Sequence, residues 1–157
     1  MNIKLIVVGK TNTAYLKTGE NEYENRLKHY CNFEEIIIND VKNGSKFSKK
    51  ELKIKEGDLI LKNLDFGDKV ILLDSIGKIY SSNEFSNFLN ENMLHSTKSL
   101  VFIVGGAYGF SDEVYNRANN KLSLSKMTFS HQMIRLIFKE QLYRGFTIIK
   151  GEKYHHE

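Results

Sequence analysis

Residues 122–146, LSLSKMTFSHQMIRLIFKEQLYRGF, hold the densest grouping of side chains able to do chemistry in this 157-residue chain. His131, Arg135 and Lys139 recur every fourth residue, which on a helix stacks them on one face with their donors pointing the same way. Such a row suits an anionic ligand. Ser130 is placed to cap that helix, and Met133, Ile134, Ile137, Phe138, Leu142 and Phe146 recur at three- and four-residue steps as its apolar face. The plain alternative is a surface helix with one apolar and one basic side. For His131 and Arg144 that alternative is helix capping and an ion pair with Glu140, four residues before Arg144. Upstream, residues 122–129 alternate apolar residues with Ser, Lys and Thr, as in a short strand or extended loop. A helix start after such a loop is a site for a polar ligand.

Other motifs exclude more than they assign. Gly9-Lys10-Thr11 resembles the end of a phosphate-binding loop, but the earlier glycine that motif requires is Lys4 here. Gly105, Gly106 and Gly109 give GGxxG rather than the GxGxxG of a dinucleotide site. Lys42, Lys46, Lys49, Lys50, Lys53 and Lys55 have only Glu51 between them, so this segment is either an RNA-backbone contact or a solvated helix face. Cys31 is the only cysteine, which rules out a disulfide framework and a thiolate metal cluster, and no metal is expected.

The elements that must position these residues follow from apolar runs and their stops. Residues 3–8, 33–38, 70–74 and 100–104 are strands, the first and last two being continuously apolar in the way of strands buried on both faces. Helices are expected over residues 13–30, 48–64, 81–93 and 111–116, with Ser48 and Ser81 or Ser82 as caps. The third strand should stop at a tight turn, Ser75-Ile76-Gly77-Lys78. Alternating strands and helices predict an α/β fold, a parallel-type sheet covered by helices on both faces, with ligands at the carboxyl ends of the strands. The loops at 74–78, 105–109 and 124–129 then form one rim.

Hydrophobic residues at 41% and charged residues at 27% place the chain in the folded globular range, and its length suits one domain over residues 1–157. A net charge of +4 permits a nucleic-acid partner without requiring one. The first apolar run is too short for a signal peptide or membrane span, so a cytoplasmic protein with no membrane partner is expected.

VFIVGGAYGF, the focal segment and the terminal KGEKYHHE together resemble the ribosomal large subunit methyltransferase H family, small members of the SPOUT class of knotted methyltransferases, from KLIVVGK to the last residue. The resemblance implies a C-terminal deep trefoil knot, a homodimer and S-adenosylmethionine as cofactor. It further implies methylation of N3 of a pseudouridine in helix 69 of 23S rRNA, within the large subunit or ribosome. By position, the family's cofactor contacts fall on Leu73, Gly105, Leu124, Ser125, Lys126, Met127, Thr128 and Phe129. The family commonly has a basic residue where this chain has His156, and some members carry a proline beside the histidine of SHQM that is absent here.

N3 of a uracil-type ring must lose a proton at or before attack, so a base or an anion-stabilising cation is wanted. Arg135 could stabilise the anion and His155 accept the proton, with Tyr154 beside it. His131, Lys139, Tyr143, Arg144 and His156 are the candidates for substrate contact. A non-catalytic ribosome-binding protein of the same fold is the alternative. The tail is suited to closing over a splayed base, since Tyr and His both stack. Seven extended residues span on the order of 23 Å, enough to reach a partner subunit's pocket.

Overall fold

The computed structural model describes residues 1–156; Glu157, which the sequence reading included in the tail, lies outside the described residues. Ten elements alternate along the chain: β1 (Asn2–Val8), α1 (Ala14–Leu27), β2 (Asn32–Ile38), α2 (Lys49–Leu61), β3 (Lys69–Ile79), α3 (Ser82–Leu94), β4 (Ser99–Val104), α4 (Asp112–Arg117), β5 (Asn120–Ser123) and α5 (Met133–Ile149). The strands form one sheet in the order β2-β1-β4-β3-β5, every pair parallel.

Burial on both faces explains the continuous apolar runs. Ile3, Leu5 and Val7 of β1, with Leu100, Phe102 and Val104 of β4, face a core closed by α1, α3 and α5. Ile6 and Val8 of β1, with Val101 and Ile103, face a second core closed by α2 and α4. In α5 the apolar stripe behaves as its spacing requires, with Phe138, Leu142 and Phe146 buried and the Phe138 ring 4.7 Å from that of Phe102. Ser48 and Ser81 each cap their helix through a full capping box, with Glu51 and Glu84 returning the bond to the cap's own N–H.

Two boundaries differ from expectation. β3 does not stop before Ser75 but runs to Ile79, pairing Leu73 and then Lys78 with the same residue, Leu122, so that residues 74–77 bulge out between two paired segments. Gly77 permits this because the β5 backbone passes against it: a Cβ there would meet Leu122 N at 2.5 Å and the Lys121 carbonyl carbon at 2.6 Å. In turn, α5 begins at Met133 with Gln132 as its cap, not at Ser130. Ser130 still accepts the Met133 N–H through Oγ at 3.2 Å and the Ile134 N–H through its carbonyl at 3.0 Å, shaping the turn that leads in.

Candidate functional site

At the carboxyl ends of β3, β4 and β5 the three expected loops enclose a cavity of about 500 Å³, within the range of small-ligand pockets. The bulge supplies Leu73, Asp74 and Ser75, and the segment after β4 supplies Gly105 and Gly106. Leu124, Ser125, Met127, Thr128 and Phe129 close the third side, with His131 beside them. Lys126 is the exception among the expected cofactor residues, exposed and outside the wall. Inside this last loop Ser123 Oγ donates to the Ser125 carbonyl at 2.9 Å, and Ser125 Oγ accepts the Met127 N–H at 2.9 Å. A Cβ at Gly106 would lie 2.5 Å from the Glu56 carboxylate and displace that side chain, and Gly109 turns the loop at φ +81°.

The lining carries no lysine or arginine, and its one carboxylate is Asp74. Asp74 accepts the Ile76 N–H at 3.2 Å and the Tyr115 hydroxyl. Burial, and then this bond to Asp74, pushes Tyr115 up to about 12, so it remains a donor across the physiological range. The absence of a cation beside the Asp74 carboxylate disfavours a polyphosphate and accommodates a ligand that carries positive charge.

The row His131, Arg135, Lys139 is not an exposed anion site. Arg135 is 1% exposed, and its guanidinium donates to the carbonyls of His131 (3.0 Å), Gly9 (2.9 Å) and Val8 (2.7 Å) and to Thr11 Oγ1 (3.2 Å). It therefore stabilises no substrate anion; it fastens the turn at His131, on the cavity wall, to the end of β1. Gln132 adds to this by accepting the N–H groups of Asn12 and Thr13 at 3.0 and 3.3 Å. Lys139 is wholly enclosed, its ammonium 2.7 Å from both Glu20 and Glu24 and 3.0 Å from Glu35, so it does not contact substrate either. Burial pushes Lys139 down, but the three carboxylates outweigh it and the net shift is upward. Those carboxylates form the one grouping among the described residues with metal-binding spacing, and the lysine ammonium fills it. Sequence reading missed Glu20, Glu24 and Glu35; the i,i+4 pair Glu20 and Glu24 on α1 was the available signal.

The tail residues lie elsewhere. Tyr154 packs edge-on to Tyr143 at 4.7 Å, and its hydroxyl bonds to Tyr23 and to Glu140, both at 3.1 Å. Burial, then these bonds, pushes the Tyr154 hydroxyl up, so it is no base near neutrality. Arg144 makes the expected pair with Glu140 at 2.5 Å, lies over the Tyr154 ring, and sits 3.3 Å from His155 Nδ1. His156 is exposed. Tyr143 lies nine residues beyond Ile134, which lines the cavity, hence roughly 14 Å further along the α5 axis. Within one chain, then, the tail cluster and the cavity are separate.

A wholly parallel sheet covered on both faces, with its ligand cavity at the carboxyl ends of three strands, defines an open α/β enzyme. Residues 1–155 match a family model described as "Predicted SPOUT methyltransferase", and the chain belongs to that family of methyl-transferring enzymes. Among curated proteins it is similar to the ribosomal RNA large subunit methyltransferase H of Parabacteroides distasonis, 55% identical over 157 residues and the full length of both chains. The protein of the same name from Flavobacterium psychrophilum is 53% identical, again over the full length of both. Among solved structures, a probable methylase family protein from Haemophilus influenzae shares the fold with a TM-score of 0.51 at 12% identity, covering 99% of this chain and 70% of that one. No described helix is long and apolar enough to cross a membrane.

Proposed function

We propose that this enzyme methylates N3 of a pseudouridine in helix 69 of 23S rRNA, in the large subunit or ribosome, acting in the cytoplasm. The observation that carries the reading is the cavity itself: its glycines, hydroxyls and lone carboxylate suit S-adenosylmethionine, and its walls coincide with seven of the eight positions the family resemblance marks. Full-length similarity to proteins named for ribosomal RNA supports the substrate class. When bound, S-adenosylmethionine supplies an electrophilic methyl group. Asp74 lies where its carboxylate can face a positive centre, and the backbone around Gly105 offers close approach.

The work on the substrate falls to the tail. His155 accepts the N3 proton, and Arg144 beside it stabilises the ring anion, taking the role that buried Arg135 cannot fill. Tyr154 and Tyr143 form the aromatic surface for the base. Because the cavity and the tail are separate in one chain, a homodimer completes the site, each tail serving its partner's cavity. Ile76 and Met127, 70% and 78% exposed at the cavity edge, support a covering subunit there. Membership of the SPOUT family supports a C-terminal trefoil knot.

The test is calorimetric titration with S-adenosylmethionine, paired with methyl transfer to purified ribosomes and mass-spectrometric mapping of the product. The full chain is expected to bind cofactor and to modify helix 69. A chain lacking residues 154–157 is expected to keep cofactor affinity within about twofold while losing transfer. Full transfer by the truncated chain, or a product at another nucleotide, refutes the assignment.

A further inference from the structure

Outside the cavity a dense run of lysines lies on the first turns of α2 and the 3-10 turn over Gly44–Lys46 before it. Residues 42–55 contain six lysines against one glutamate, and that glutamate, Glu51, is engaged in the capping box with Ser48. Among the described residues none of the six makes an ion pair, and all but half-buried Lys53 are exposed. Two features of this helix run against its own stability. Lys49 and Lys50 occupy the first turn, where the macrodipole is positive, and Lys49 and Lys53 stand four apart as like charges. Local rules are broken in this way where a surface serves a ligand.

Position and neighbours identify the ligand. Lys49 lies 5.3 Å from the ring of Tyr108, which is 47% exposed in the same glycine loop that lines the cavity. Lys55 lies 4.5 Å from the Phe47 ring, so aromatic and cationic groups alternate along the face. A cleft of about 490 Å³ runs between the lysines of α2 and the start of α4, where Asp112 and Glu113 form the far wall. Asp112 and Glu113 repel a polyanion, which leaves the lysine side of the cleft, where Lys49 adjoins Tyr108 of the cavity's glycine loop, as the side an RNA backbone can follow.

We propose that the face formed by Lys46, Lys49, Lys50 and Lys53, with Tyr108, docks the phosphate backbone of the RNA substrate beside the target nucleotide. The assignment rests on the RNA reading above and adds the surface that delivers the substrate to the cavity. These lysines act in substrate capture and have no part in cofactor binding.

The experiment compares the triple variant Lys49→Gln, Lys50→Gln, Lys53→Gln with a charge-matched control, Lys28→Gln, Lys62→Gln, Lys98→Gln, at the opposite, amino-terminal end of the sheet. Circular dichroism and S-adenosylmethionine titration confirm that each is folded. Binding to large subunits, binding to protein-free 23S rRNA and methylation kinetics are measured from 50 to 300 mM KCl. Neutralising the α2 face is expected to raise KM on the order of tenfold. It should also flatten the slope of log affinity against log salt by roughly 2–3, from three lost contacts at about 0.7–0.9 each. The control is expected to change neither. An unchanged KM and slope overturn the proposal, as does a loss seen with whole subunits but absent with protein-free RNA, which points to a ribosomal protein instead. If the unmodified enzyme binds RNA with this lysine dependence but transfers no methyl group, the docking surface stands and the proposed reaction falls.

Discussion

Replacing Lys139 with methionine isolates what a buried cation does in this fold. Lys139 is 0% exposed and is the cation between Glu20, Glu24 and Glu35, whose carboxylate oxygens lie within 4.8 Å of one another. Lys139→Met keeps most of the volume and leaves three carboxylates facing each other, Glu20 fully buried. Removing one partner of a buried ion pair costs roughly 3–5 kcal/mol. For a domain of this size that is a fall in Tm of about 6–20 °C, at roughly 2–4 °C per kcal/mol. The folded pKa of Lys139 is raised, so its contribution is fully present below the ordinary lysine value and is lost only as pH rises through the folded one. Thermal unfolding followed by circular dichroism reads the loss at pH 7, and the difference between parent and variant should diminish only as pH rises above the ordinary lysine range. Adding Glu20→Gln, Glu24→Gln and Glu35→Gln should restore much of the stability. A loss below about 1 kcal/mol at pH 7 refutes the reasoning. Unchanged ribosome KM well below Tm checks that Lys139 is structural.

The remaining predictions concern the cavity and its supports. Gly105→Val places a Cβ 3.0 Å from Cε1 of buried Phe110 in the cavity wall, so cofactor affinity should fall at least about tenfold and the overpacking should cost roughly 1–3 kcal/mol; calorimetry showing undiminished affinity in a folded variant moves the site elsewhere. Gly77→Ala drives a Cβ into the backbone of Lys121 and Leu122, and denaturant melts should show a loss at or above the roughly 1–3 kcal/mol of overpacking. Glu56, buried with no hydrogen bond or ion pair among the described residues, has its pKa raised by burial and then by Asp40. The folded state thus holds that proton more tightly than the unfolded chain, and ionised Glu56 destabilises above its folded pKa. Glu56→Gln should add on the order of 1 kcal/mol at pH 7.5 and nothing near pH 4, and an equal gain at both pH values contradicts this.

What was legible in the sequence was what local pattern encodes. Continuous apolar runs marked β1, β3 and β4 because both sheet faces are buried, and Ser48 and Ser81 marked helix starts because their caps are local. The three rim loops were placed correctly because strand ends in a parallel sheet share one side. The failures came from distant partners. Gly77 read as a turn because nothing local shows that β5 passes against it. Arg135 and Lys139 read as a ligand row because periodicity reports a shared face, while the carboxylates that enclose Lys139 lie 104 to 119 residues away in sequence. The tail reading of Tyr154 and His155 rested on residue type, and no spacing rule reveals that they pack against Arg144 and Glu140 at the opposite end of α5 from the cavity.

The bulge in β3 has a thermodynamic consequence for the ligand. Leu73 and Lys78 both pair with Leu122, so the four-residue excursion carrying Asp74 and Ser75 leaves and rejoins the sheet at one residue. Fixing a residue's backbone costs roughly 1–2 kcal/mol of conformational entropy, and folding has already met that for this wall. Ligand entry therefore orders little, and the affinity of this side of the cavity is not diminished by a loop that must first condense. Exchange of a used ligand for a fresh one therefore requires no refolding of β3.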